Sequence, residues 1–168
     1  GKLGFLTDIL PDEVELRLRD VLNGCYEESN HFMLASQVLR NGIKIGTGSS
    51  LNDVVLHPGQ PARMLTFELN ISGQQVYFER ADGLIIATPT GSTAYALSAG
   101  GPIMHPDLEA IVLVPMHPHS LSSRPLVVCA NSRLELLVND KNTICPTVSF
   151  DGQTHVHCIP GDVVRIHR

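Results

Sequence analysis

Short apolar runs, each stopped within a few residues by a turn former, restrict this chain to a layered β architecture. Leu65, Phe67 and Leu69 alternate with Thr66 and Glu68, and Ser72-Gly73 can reverse the chain into 76–78, which reads as a hairpin. Further strands are expected at 111–114, 126–129, 134–138, 148–150 and 163–166. The segment 140–142, Asp151-Gly152 and Pro160-Gly161 supply turns between them. Strands this short and this closely spaced predict a mainly β fold: a layered β-sandwich with a few short helices. One helix is expected near the start. In "PDEVELRLRDVLNG", Val14, Leu18, Val21 and Leu22 share a helical face, with Pro11 near its beginning and Gly24 just past its end.

With 168 residues, 43% of them hydrophobic, the chain can bury the core of one globular domain. Lys and Arg number 12 against 17 Asp and Glu, a net charge of −5 with no long basic run, which argues against nucleic acid as a partner. No apolar stretch approaches the roughly 20 residues of a membrane span, and no signal-peptide pattern opens the chain, so a cytoplasmic protein is expected. Cys25, Cys129, Cys145 and Cys158 form no C-x-x-C pair and are expected as reduced thiols. The chain opens at Gly1 without an initiator Met, which raises the expectation of a piece of something longer.

The stretch "IIATPTGSTAYALSAGGP" concentrates small and hydroxyl side chains in one place. An apolar run over 84–87 reads as a buried strand ending where Pro89 and Gly91 turn the chain. Ser92 or Thr93 can then cap a short helix through Tyr95 and Leu97, which Gly100, Gly101 and Pro102 stop. Free amides at such a helix start suit phosphate or the polar edge of a heterocycle. Taken alone, the stretch reads as a well-capped connection between two elements.

Other motifs are weaker. Gly46-x-Gly48 lacks the third glycine of a dinucleotide fingerprint, Leu51 standing there, and these glycines are expected at a turn or bulge. No Gly-Lys-Ser/Thr sequence makes a P-loop. His117/His119 and His155/His157 would each share a strand face, as metal ligands do, but Pro118 interrupts the first pair and neither has a persuasive third ligand. Ser92 is not in a G-x-S-x-G elbow, because Ala94 replaces the second glycine. Asn52-Asp53, ahead of the apolar 54–56 run, puts an amide and a carboxylate where they could hold vicinal hydroxyls, or could form an ordinary turn.

Four segments in order, "GKLGFLTD", "LNDVVLHPG", "DGLIIATPTGSTAYALSAGGPIMHP" and "LVPMHPHSLSSRPLVV", resemble the C-terminal two-thirds of bacterial NAD kinases. The resemblance implies that residues 1–168 are the mainly β, dinucleotide-binding domain, with 1–24 a connecting strand and helix at its start. It implies transfer of a phosphoryl group from ATP or polyphosphate, with Mg²⁺, to the 2′-hydroxyl of the adenosine ribose of NAD. The general base of that family is the aspartate of a G-G-D-G motif, expected upstream of Gly1, so no catalytic residue is expected in this chain and residues 1–168 alone are expected to be inactive. No metal-ligand set is expected here either.

By position, the resemblance implies NAD contacts from Asn52 and Asp53, where the family has Asn-Glu, and from Arg63, Arg80 and Asp82. It implies contacts to adenine and its ribose from Thr93, Ala94, Tyr95, Ala96, Leu97 and Ser98, and a further contact from Gln153. Tyr95 would offer a flat face for stacking. A homodimer or homotetramer is implied, with Asp82 reaching a ligand held mainly by a neighbouring subunit. Two rival readings from the residues are a non-catalytic dinucleotide-binding or assembly module and a metal enzyme built on His155/His157.

Overall fold

The computed structural model describes residues 9–60 and 63–168. The "GKLGFLTD" segment, with the connecting strand expected there, lies outside the described residues. The chain divides into two compact units, one through His31 and one from Phe32 to Arg168. The first carries the expected helix, α1 (Val14–Leu22), whose apolar side chains are all exposed.

The second unit holds twelve strands: β1 (Leu34–Arg40), β2 (Ile43–Ser50), β3 (Asp53–His57), β4 (Leu65–Ile71), β5 (Gln74–Ala81), β6 (Gly83–Ala87), β7 (Ala110–Met116), β8 (Leu126–Cys129), β9 (Leu134–Val138), β10 (Thr147–Phe150), β11 (Thr154–His157) and β12 (Val163–His167). They form two antiparallel six-stranded sheets, ordered β2-β1-β12-β9-β4-β5 and β11-β10-β3-β6-β7-β8. The mainly β sandwich expected from the sequence is therefore the fold observed. A short helix, α2 (Tyr95–Ser98), follows a 3₁₀ turn over Gly91–Thr93.

The main core lies between the sheets. Leu34, Val38, Phe67, Leu69, Leu136 and Ile166 of the first sheet meet Val54, Leu56, Leu84, Ile86, Leu113 and Phe150 of the second. In β4 and β9 buried positions alternate with partly exposed ones, since one face of the first sheet meets solvent. β6 and most of β7 are buried on both faces, which is why "GLIIA" reads as a continuous apolar run. The covering layer is the 88–104 segment: Ala96 and Met104 pack on Val55, Ile85, Ala87, Val112 and Val114, on the second sheet's outer face. That cover stops short of β10 and β11, and the bare flank becomes the floor of the site.

Gly46 and Gly48 lie inside β2, and a register shift falls beside Gly46. The bulge half of the expectation holds, while the turn half is replaced by close packing. A Cβ on Gly48 would stand 2.3 Å from the Phe150 ring and one on Gly46 2.8 Å from Val156, so the strand can approach the other sheet only without side chains there.

Candidate functional site

The site begins where β3 starts beside the end of β6, with Asp53 opposite Ala87. Leaving β6, Thr88 donates its N–H to the Asn52 carbonyl (2.9 Å) and its Oγ1 hydroxyl to the Leu51 carbonyl (2.5 Å), while that oxygen accepts the Gly91 N–H (3.1 Å). A Cβ on Gly91 would come within 2.0 Å of the Asn52 carbonyl oxygen, so glycine alone permits this contact. Ser92 is fully buried, and its hydroxyl donates to the Pro89 carbonyl (2.6 Å) and accepts the Met104 N–H (3.0 Å). It does not cap the helix. The N-cap is Ala94, with no side-chain cap, and Thr93 Oγ1 turns back to the Thr90 carbonyl at 3.2 Å.

At the other end of α2, the Gly100 N–H bonds the Leu97 carbonyl and the Gly101 N–H that of Ala96, with Gly100 at φ 85°. This is the expected glycine stop, in the paired-bond form. A helix of four residues sums too few peptide dipoles to grip an anion, so the site rests on side chains and loop amides instead.

Asp151 fixes the same loop from the opposite side. It sits in the β10–β11 turn at φ 50°, and its carboxylate accepts the N–H groups of Leu51 (2.8 Å), Asn52 (2.9 Å) and Asp53 (3.0 Å). Between these walls opens a cleft of about 540 Å³. Asn52, Asp53, Val55 and His57 line it from β3, Ala94 and Tyr95 from the start of α2, and Ser149, Asp151, Gly152 and His155 from β10, β11 and their turn.

Buried Asp53 has its carboxyl pushed up to about 6, first by loss of hydration and then by the Asp151 charge. Among the described residues no donor bonds that carboxylate, so its oxygens remain available to a ligand's hydroxyl or amino groups. His57, half-buried, is lowered by burial and by nearby His155. Its Nδ1 accepts the Gly59 N–H at 3.2 Å.

Of the residues singled out from the sequence, Asn52, Asp53, Ala94 and Tyr95 meet in the cleft, and Tyr95 is 52% exposed. Ala96 lies beneath it with its side chain in the core. Thr93, Leu97 and Ser98 flank it along the 3₁₀ turn and α2, and Gln153, exposed, follows Gly152 in the Asp151 turn. Arg63 is exposed between β3 and β4. Arg80 and Asp82 stand where β5 passes into β6, at the end of β6 away from the cleft, and Asp82 pairs with His117 at 3.1 Å. The cleft residues missed in the sequence are His57, Ser149 and Asp151. Asp151-Gly152 showed only as a turn, and His57 as part of a strand end, because the partners that give them a role come from other strands. Among the described residues, no three His, Cys, Asp or Glu side chains converge as a metal site, and no helix is long and apolar enough to cross a membrane.

Residues 51–168 match the family described as the ATP-NAD kinase C-terminal domain. The chain is 61% identical to the NAD kinase of Ectopseudomonas mendocina over 166 residues, covering 99% of this chain and 56% of that protein. It is likewise 61% identical to the NAD kinase of Hahella chejuensis, with the same coverage. The chain thus spans little more than half the length of these relatives. Among solved structures it is similar to a yeast NADH kinase complexed with NADH (TM-score 0.90, 30% identity, 99% of this chain and 48% of that one). It is also similar to an NAD kinase from Archaeoglobus fulgidus in complex with ATP (TM-score 0.78, 29% identity, 96% and 59%).

Proposed function

This chain belongs to the NAD kinase family, matching its C-terminal domain, and from that membership we propose that its cleft holds the adenosine part of NAD for phosphorylation at the ribose 2′-hydroxyl. The observation that carries the reading is the convergence of Asn52, Asp53, Ala94 and Tyr95 around one cleft whose deepest carboxylate has no donor among the described residues. A buried acceptor of this kind binds hydroxyl or amino groups, and discriminates against ligands that leave it unpaired. Tyr95 supplies a ring for a base to lie against, and the loop tied by Asp151, Thr88 and Gly91 keeps Asn52 and Asp53 in place before the ligand arrives.

In the whole protein the ribose oxygen attacks the terminal phosphorus of ATP or polyphosphate. The new oxygen–phosphorus bond forms as the bond to the leaving phosphate breaks, and the hydroxyl proton passes to a base. Alignment is the share of this chain. No G-G-D-G sequence occurs in residues 1–168, and the base is assigned to that motif elsewhere in the protein. The described residues do not fit Mg²⁺, for no acidic set converges, and no step here runs through it.

The remaining contacts are part of the same proposal. Thr93, Leu97, Ser98 and Gln153 border the adenosine, and Ala96 supports them from the core. Arg63 and Arg80 contribute further NAD contacts, and Asp82 reaches a ligand held mainly by a neighbouring subunit of a homodimer or homotetramer. The place of Asp82 supports this, since it lies a strand's length from the cleft, about 15 Å at ~3.3 Å per residue. The four cysteines are free thiols, which suits a reducing compartment, and a cytoplasmic location completes the reading.

The test is a binding titration of residues 1–168 with NAD beside an assay for NADP formation with ATP and Mg²⁺. NAD binding without turnover is expected. Robust NADP formation would place the base inside these residues, and absence of any nucleotide binding would reject the cleft assignment.

A further inference from the structure

The cleft is chemically polar along its length. Asp53 and His57 both project to the outer face of β3, four residues and therefore about 13 Å apart. At the Asp53 end stand acceptors and a second carboxylate, Asp151. His57 stands at the other end, level with Thr147 and His157, and His155, level with Ser149 and Val55, stands midway along the cleft. β10 runs between β3 and β11, with Thr147 opposite His57 and Ser149 opposite His155. On this face the strand between the histidines carries only the short, buried side chains of Ser149 and of Thr147, whose Oγ1 is hydrogen-bonded with His157 Nδ1 at 3.1 Å, leaving a trough with His57 on one bank and His155 on the other.

The Gly59 amide decides what His57 offers. Its N–H is spent on Nδ1, so that nitrogen is the acceptor, and in the neutral ring favoured by burial the proton sits on Nε2. A ring in that tautomer has no free lone pair for a metal, but it has one fixed N–H donor. His155 on the opposite bank is exposed and adds a second donor. The group that matches two donors beside hydroxyls, away from two carboxylates, is an oxyanion.

We propose that His57 and His155, over Ser149, form a phosphate subsite in the half of the cleft beyond Val55, away from Asp53, so that acceptors hold the nucleoside and imidazoles hold phosphate oxygens. This rests on the nucleotide reading above and extends it. Carboxylates repel phosphate and imidazole N–H groups attract it, so the charge pattern sets the direction in which a nucleotide lies. Two ligands carry the required chemistry, the diphosphate bridge of NAD and the phosphate chain of the donor.

The experiment titrates residues 1–168 and their His57→Ala, His57→Gln and His155→Ala variants with adenosine, NAD and inorganic tripolyphosphate, with thermal melting alongside. His57→Ala is expected to cut affinity for a phosphate-bearing probe about tenfold, the scale of one hydrogen bond to a charged acceptor. His57→Gln, whose amide N–H₂ replaces Nε2–H, should restore most of it. A fall in the ratio of NAD to adenosine affinity places the NAD diphosphate in the trough, and a loss confined to tripolyphosphate places the donor there. Unchanged affinity for both probes in folded His57→Ala and His155→Ala proteins overturns the subsite. Failure of adenosine to bind the unaltered chain rejects instead the nucleotide reading, while histidine-dependent tripolyphosphate binding would still uphold the subsite.

Discussion

Asp151 and Asp53 are bonded reciprocally. The Asp151 N–H donates to the Asp53 carbonyl at 3.0 Å, and the Asp53 N–H donates to the Asp151 carboxylate at 3.0 Å. The carboxylate also holds the amides of Leu51 and Asn52, so one side chain sets the path of the loop entering β3. Asp151→Ala leaves three amides to find new partners and should cost about 2–4 kcal/mol of stability, read by chemical denaturation. Asp151→Asn keeps one acceptor and tolerates the left-handed backbone. It should cost less and, by removing a charge, should move the Asp53 carboxyl back toward its ordinary range, which carboxyl NMR titration measures.

The pH dependence contributed by Asp53 runs opposite to that of a salt-bridged aspartate. Its carboxyl titrates near 6 in the folded chain against 3.8 in the unfolded one. Between those values the folded state binds more protons, so stability falls as pH rises through the window. Below pH 3.8 both states are protonated and no penalty exists; above about 6 it is complete, on the order of 2–3 kcal/mol. Asp53→Asn should therefore gain stability over the unaltered chain at pH 8 but not at pH 3.5, in paired melting curves. Equal differences at the two pH values would show that Asp53 ionises normally.

At the same residue, ligand binding and stability are opposed. The ionised carboxylate that burial disfavours is the stronger acceptor for ribose hydroxyls, so NAD affinity should rise as pH passes through 6. Asp53→Ala should bind NAD poorly, and Asp53→Glu should bind it as well as the unaltered chain does. Isothermal titration at pH 5 and pH 7.5 tests both points; a Glu variant as damaged as the Ala variant would undo the assignment of Asp53 to the ligand.

Tyr95 contributes to binding and little to folding, because half its surface is exposed. Tyr95→Ala should weaken NAD binding by about 1–3 kcal/mol through lost stacking on the base, with the melting temperature unchanged. Calorimetry reads the first quantity and thermal melting the second. Unaltered affinity would remove Tyr95 from the adenine site.

Gly91→Ala tests the loop contact from the other side. The added Cβ would meet backbone at 2.0 Å, not a flexible side chain that can swing away, so the 88–92 turn and Asn52 must separate. A stability loss of about 1–3 kcal/mol is expected, with weaker NAD binding, since the same shift displaces Asn52. A fully stable variant that binds NAD normally would show that the two loops are not coupled.

Much of this fold is written locally. The β4–β5 hairpin, with Ser72-Gly73 at its turn, and the bounds of β8 and β9 follow from alternation and turn residues within a few positions, because strand faces and turn geometry are properties of neighbouring residues. The buried β6 run and the glycine stop of α2 are local in the same way. β1 and β2 were not legible. "LASQVLR" and "IKIGTGSS" mix polar and small residues, and their place is set by pairing with β12 and by the close approach to Phe150 that Gly48 allows. The site divides likewise. Asn52, Asp53 and Tyr95 could be picked out by motif, whereas the clamp by Asp151 spans about a hundred residues of sequence and His57 meets His155 only because β10 lies between β3 and β11. Sequence determines which residues can form strands and turns, since those choices depend on adjacent side chains. Which strands become neighbours, and so which carboxylates and imidazoles share one cleft, depends on burying both sheets against a common core, and that was decided only when the chain closed on itself.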